Sequence, residues 1–168
     1  MKYKLLTILI CLCLILSGCQ NQTTIKGIEA KLRRVVSAQT IEVIIKNKSY
    51  QFRLMGLETP SEKQQPWGNE ARKFLVDFLT VNNSQPLKSA IVILETDLEV
   101  KDKFNRIRGY GWFNDELINQ KILSFGHGIV NLTYTDGKYD QQLLDAQDYA
   151  RIMGKGVWNP DKPLRNIN

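Results

Sequence analysis

The chain is poor in the residues that build covalent or metal cross-links, with three cysteines and one histidine in 168 residues. Cys11 and Cys13 fall in the first eighteen residues, which have the marks of a leader, so a processed chain keeps Cys19 alone. Neither an intrachain disulfide nor a thiolate zinc site is then available. Long apolar runs are lacking too: the longest, Leu5 to Leu16, covers twelve residues, where a membrane-crossing helix needs about twenty. Charge of one sign is only mildly in excess, at 23 Lys plus Arg against 17 Asp plus Glu, a formal +6. Lys2 and Lys4 belong to the leader, leaving +4 on the rest. That surplus permits an anionic partner without requiring one. An apolar fraction of 43% with 24% charged residues excludes wholesale disorder and a disulfide-stapled miniprotein, and the length predicts one domain.

The basic start, the apolar run and Ser17-Gly18-Cys19 form a signal-peptide layout over residues 1–18. Leu16-Ser17-Gly18-Cys19 resembles the bacterial lipobox. That resemblance implies a lipid on the sulfur of Cys19, cleavage before it, and an exported protein anchored to the bacterial membrane or envelope. Residues 19–27 are polar and aperiodic and read as a tether, 28–160 as the folded domain and 161–168 as a tail.

Within the domain, period-two alternation predicts strands at Ile28 to Ser37, Thr40 to Lys46 and Ser49 to Met55, with turns at Ser37-Ala38-Gln39 and Asn47-Lys48. Ala90 to Glu95 and Arg108 to Phe113 add two strands, separated by a charged stretch around Lys101-Asp102-Lys103. A helix is expected at 66–80, with Trp67, Ala71, Phe74, Leu75 and Phe78 on one face. A second is expected after a cap at Asn114, ending at Gly126, and a third from Lys138 to Met153. Asn82, Asn83, Ser84 and Pro86 mark a polar loop. Five short strands joined by hairpins, with three helices, predict an α+β fold whose sheet closes into a small barrel.

Four collinear segments then acquire meaning together: Arg34 to Thr40; Phe52-Arg53-Leu54-Met55-Gly56-Leu57-Glu58-Thr59-Pro60; Asp102-Lys103-Phe104-Asn105-Arg106; and a C-terminal helix with Ala146-Gln147 followed by Gly154-Lys155-Gly156 and Val157-Trp158. In this order and spacing they resemble the staphylococcal nuclease, or thermonuclease-like, family over roughly residues 28–160. The resemblance implies a five-stranded OB-type barrel with three helices. It also implies hydrolysis of DNA or RNA phosphodiesters, with calcium held by carboxylates, two arginines on the phosphate and a glutamate as base for water.

Carried over by position, the resemblance makes Arg53 and Arg106 the phosphate-binding arginines. Taken separately, Arg53 is more often a snorkelling strand residue and Arg106 a solvated loop charge, and it is the two together at the family's spacing that point to phosphate. The family's Asp-Gly-Asp-Thr turn stands here as Ser37-Ala38-Gln39-Thr40, so two acids are gone. Gln39, Thr40 and Glu58, the last one methylene longer than the family's aspartate, are what remain to hold calcium, and a weakened site follows. The expected glutamate after Thr59-Pro60 is Ser61, leaving Glu62 as a displaced substitute base. Lys103, Phe104 and Tyr134 match the nucleotide pocket, while Leu132 stands in place of a stacking tyrosine. His127, after a helix stop, takes no role. Three functions stay open: a residual metal-assisted nuclease, a silent domain that binds nucleic acid, and a protein-interaction module on the same scaffold.

Overall fold

Alternating apolar residues set the sheet. In the computed structural model, which describes residues 25–80, 90–162 and 164, strand β1 (Ile28–Ser37) buries Ala30, Leu32 and Val35. The three-residue step from Leu32 to Val35 coincides with a register shift against β2 (Thr40–Ile45). This bulge turns both Arg33 and Arg34 outward, where they clasp Glu42 at 2.6 and 2.5 Å. Strand β3 (Lys48–Leu54) completes the meander and buries Phe52 and Leu54. The β2–β3 turn is centred on Lys46-Asn47, one residue earlier than the expected Asn47-Lys48, because both turn residues take positive φ (46° and 64°). The leader, Cys19, the tether through residue 24, the loop 81–89 and most of the tail lie outside the described residues.

A short strand β4 (Gly56–Glu58) follows at once, and helix α1 (Trp67–Phe78) packs Ala71 and Leu75 inward. Strand β5 (Ile91–Lys101) runs past the expected end at Glu95. Beyond Thr96 it continues through Asp97, Glu99 and the exposed Val100, with Leu98 packed on the core, and re-pairs Lys101 with Ile107 of β6 (Ile107–Phe113). Leu98 and Val100 alternate with charged residues here, in phase with Val92 and Leu94. The sheet runs β3-β2-β1-β5-β6, and a parallel pairing of β3 with β6 closes it. Five strands thus form a barrel without free edges. With three helices, this is the α+β architecture expected.

Asn114 does not cap a helix. Asn114 and Asp115 both take positive φ (49° and 61°) and form the two-residue turn from β6 into β7 (Glu116–Leu117). Helix α2 (Ile118–Ser124) starts only after Leu117. Strand β8 (Ile129–Asn131) pairs with β4, and helix α3 (Asp140–Ile152) buries Leu143, Ala146 and Ala150 but leaves Met153, just past its end, exposed. A 3-10 turn at Gly156–Trp158 returns the chain to Gly126 through a Val157 N–H to Gly126 carbonyl bond of 2.8 Å.

One buried polar residue joins three of these elements. Asn119, fully buried on α2, accepts the Gly111 N–H of β6 at 3.0 Å and donates to the Met55 carbonyl at 2.8 Å, between β3 and β4. Each bond satisfies a backbone group that the barrel would otherwise leave unpaired, and an orphaned buried group costs about 1–3 kcal/mol. The junction from which β4 departs is therefore held on both sides.

Candidate functional site

On β3, Phe52 and Leu54 point into the barrel, so Arg53 between them projects from the opposite face. The chain then breaks at Met55, whose N–H binds the Gly109 carbonyl at 3.0 Å, and turns at Gly56 with φ +80°. The positive φ calls for glycine, and a Cβ there would also have to displace the tip of the Leu143 side chain, Cδ1 lying 2.4 Å away. The turn delivers β4 to β8 with Glu58 opposite Ile129. Glu58 comes to rest beside Arg53, whose Nη2 lies 3.3 and 3.4 Å from the two carboxylate oxygens. These are long contacts from one nitrogen to a carboxylate 42% exposed, so the pair is loose and Arg53 can turn to another anion.

Arg106 is held far more tightly. Asp102 Oδ1 accepts the N–H groups of Phe104 (2.9 Å) and Arg106 (3.0 Å). Its Oδ2 takes Nε and Nη2 of Arg106 at 2.8 and 2.7 Å. Asn105 supplies the left-handed residue of this turn, with φ 62°. Burial alone would raise the Asp102 pKa, but the Arg106 guanidinium and the two N–H donors outweigh it and hold the carboxyl below its ordinary range. The Arg53 pKa is lowered by burial, and by Arg106, against the pull of Glu58.

The two guanidinium groups open onto one cleft of about 480 Å³, which they share with Glu58, Lys103, Phe104 and Tyr134. Six of the positions singled out in the sequence are thus brought together. Lys101 and Arg108 line it as well, so five cations face two carboxylates, Glu58 and Asp102. Phe104 and Tyr134 are 65% and 67% exposed. Phe104 lies under Arg106 (4.8 Å) and Lys103 (5.2 Å), and Tyr134 under Arg108 (4.6 Å). Arg108 and Lys101 went unremarked as site residues. Arg108 is the second residue of β6, and its pairing opposite Arg53, a contact the local sequence does not show, brings it to the cleft.

The loop bearing Tyr134 is fixed to the barrel from beneath. Tyr110 donates to Asp136 at 3.0 Å, while Glu95 accepts from Trp112 Nε1 and from Tyr139 O–H at 2.8 Å each and pairs with Lys138. Tyr139 stands edge-on to both Tyr110 and Trp112. Burial, followed by the bond to Asp136, pushes the Tyr110 pKa upward, so its hydroxyl stays a donor.

Three expected positions lie elsewhere. Gln39 and Thr40 are 4% and 3% exposed and do not line the cleft. The Gln39 amide oxygen instead accepts the Thr59 N–H at 2.6 Å and ties the β1–β2 turn to the segment after Glu58. Glu62 is aimed at Arg72, 3.7 Å away, not at the cleft. Ser61 and Leu132 line an adjoining hollow with Glu58. The calcium implied by the resemblance would have to be held by these donors. A hard divalent cation takes six to eight oxygens, several of them anionic. Of the three expected ligands only Glu58 offers oxygen to the cleft, and both Asp102 oxygens are committed to N–H donors. Among the described residues no three His, Cys, Asp or Glu side chains are grouped to hold a metal. The donor set does not fit a tight calcium site.

His127 lies between α2 and β8, its ring 4.6 Å from that of Phe74 on α1. Burial lowers its pKa to about 4. An unfolded histidine binds its proton below about pH 6.5, so the stabilisation is complete above that value and is lost as pH falls toward 4. Between pH 7.5 and pH 4.5 the wild type should lose about 2–3 kcal/mol more stability than His127→Gln. Urea denaturation at the two pH values checks this; equal losses would place the acid sensitivity in the carboxylates instead.

Comparison with known proteins agrees with this geometry. A family model described as staphylococcal nuclease homologue matches residues 51–160. The thermonuclease of Staphylococcus hyicus is 29% identical over 134 residues, covering 77% of this chain and 75% of that protein. The thermonuclease of Staphylococcus intermedius is 28% identical over 144 residues, covering 83% and 81%. An uncharacterized endonuclease of Haemophilus influenzae is 24% identical over 161 residues, covering 95% and 80%.

Proposed function

This chain belongs to the staphylococcal nuclease homologue family, and we propose that it grips single-stranded nucleic acid by its phosphates and hydrolyses it slowly, and that it is exported and lipid-anchored. The observation that carries the reading is the convergence of Arg53 and Arg106 on one cation-rich cleft flanked by exposed aromatic rings. Relatives named thermonuclease and endonuclease make a nucleic acid strand the matching ligand.

A phosphodiester entering the cleft meets the loosely paired Arg53 and the fixed fork of Arg106, whose planar donors suit two phosphate oxygens. Base planes can rest on Phe104 and Tyr134, worth roughly 1–3 kcal/mol each. Double helices bury those planes, so the cleft favours single strands. Hydrolysis asks for more. Of the expected acids Glu58 alone faces the cleft, where it is paired with Arg53, and Glu62 is turned to Arg72. These contacts favour retention of the strand over rapid turnover. The anchor rests on the sequence of residues 1–19.

The test is a titration of fluorescent oligothymidylate into the mature protein with and without EDTA, alongside a gel assay for cleavage. Binding should survive EDTA, weaken linearly with log salt, and be accompanied by cleavage slow on the scale of hours. Salt-insensitive or absent binding would sink the reading, and fast turnover would overturn its second half. Recovery of the wild type in membranes, and of Cys19→Ala in the soluble fraction, checks the anchor.

A further inference from the structure

We propose that Arg108, with Lys101, forms a second anion subsite beside the arginine pair, so that the cleft holds two successive phosphates of one strand. The inference rests on the nucleic-acid reading above and specifies its ligand as an internal segment of a strand instead of a mononucleotide.

The closing pair of the barrel creates the subsite. β3 and β6 run parallel with Arg53 directly opposite Arg108. Directly opposed residues share a face of the sheet, and like charges in that position are destabilising. Arg53 and Arg108 thus rise from one face into a cleft where Glu58 and Asp102 are already paired with Arg53 and Arg106. Among the described residues neither Lys101 nor Arg108 has a carboxylate partner, although both line the same cleft. Two cations held without a counter-charge beside two paired arginines constitute an anion site in want of its anion.

Geometry favours a strand over a single phosphate. Arg106 and Arg108 are two residues apart where the chain enters β6, about 6–7 Å along the strand, comparable with the separation of successive phosphates in an extended nucleic acid. The Arg108 guanidinium is not left to wander, for it lies 4.6 Å from the centre of the Tyr134 ring. Tyr134 is itself 67% exposed and sits on the loop fixed by Tyr110 and Glu95. Cation and stacking surface are therefore placed as a unit, phosphate to one and base to the other. Mere packing of Arg108 on Tyr134 would make the same ring contact, yet would leave the salt dependence of binding untouched.

The experiment uses thymidylate oligomers carrying one or two internucleotide phosphates, titrated into the mature protein at several salt concentrations. In the wild type the second phosphate should improve affinity about tenfold at low salt and steepen the log–log salt slope by about 0.7. In Arg108→Gln the ratio of the two affinities should fall to near one and the slopes should coincide. Lys101→Gln, at the exposed end of β5, should reduce the ratio partially, and it serves if Arg108→Gln does not fold. An Arg108→Gln protein that folds and keeps the tenfold ratio, or a Lys101→Gln protein whose ratio is unchanged, would overturn the second subsite while leaving the cleft reading in place. A wild type that binds neither oligomer would overturn both.

Discussion

Arg106→Ala is expected to weaken binding of single-stranded oligonucleotide by about 100-fold or more, the largest loss from any one side chain in the cleft. A charge-assisted hydrogen bond is worth about 1.5–3 kcal/mol, and an uncompensated carboxylate beside the phosphate adds repulsion to that loss. Arg106 and Asp102 are 18% and 10% exposed and are joined at 2.7 and 2.8 Å within the chain, so breaking that pair also lowers stability, and the loss in binding comes from the bond to phosphate and from the carboxylate left behind. The alanine variant thus loses the guanidinium and bares the Asp102 carboxylate to the incoming phosphate. Arg53→Ala should cost less, since its partner Glu58 is 42% exposed and the contacts are 3.3 and 3.4 Å. Arg106→Lys keeps the charge without the fork and should fall between wild type and alanine. Asp102→Asn removes the repelling charge and leaves an oxygen able to accept the Phe104 and Arg106 N–H groups, so it should tighten binding. Fluorescence anisotropy at fixed salt ranks all four. If Arg106→Ala and wild type bind alike, the strand does not enter this cleft.

The features readable from sequence and those that were not divide along physical lines. Strands of the meander were legible because one face is buried, so Leu32, Ile41, Val43, Phe52 and Leu54 carry a local signal. The far half of β5 was not, because its two apolar residues, Leu98 and the exposed Val100, stand among Asp97, Glu99 and Lys101 and read as part of the charged stretch between strands. Asn114 suits a helix cap and a left-handed turn equally, and only the pairing of Phe113 with Glu116 decides between them. The cleft was half legible. Arg53 and Arg106 stand in recognisable strings, whereas Arg108 becomes a site residue only through the parallel β3–β6 pairing, a contact between segments far apart in the chain. Gln39 shows the reverse: its position pointed to a metal ligand, but the Thr59 N–H lies within its reach and takes the amide oxygen. A side chain's partner is a three-dimensional fact that residue type cannot supply.

The restoration of the missing acids should give the largest gain. A variant carrying Ser37→Asp, Gln39→Asp and Ser61→Glu is expected to cleave single-stranded DNA at least ~100-fold faster than wild type when calcium is present, since a positioned general base alone contributes about 10²–10⁴. The scaffold should accept the changes. Ser61 is exposed, its N–H is bound by the Gln64 side chain at 2.8 Å and its carbonyl accepts the Gln64 N–H at 2.9 Å, so the backbone that must present the new glutamate is already braced. Gln39→Asp is the demanding step. It trades the bond to Thr59 for a second carboxylate in a nearly buried position, next to the segment that carries Glu58. Two acids brought close repel until a cation bridges them. The variant should therefore melt lower than wild type in EDTA and recover by several degrees as calcium is added, about 2.7 kcal/mol of stabilisation at a hundredfold excess over Kd. The wild type should show neither response. A variant that folds, melts at the same temperature with and without calcium, and cleaves no faster would mean that lost acids at this turn are not what limits the protein.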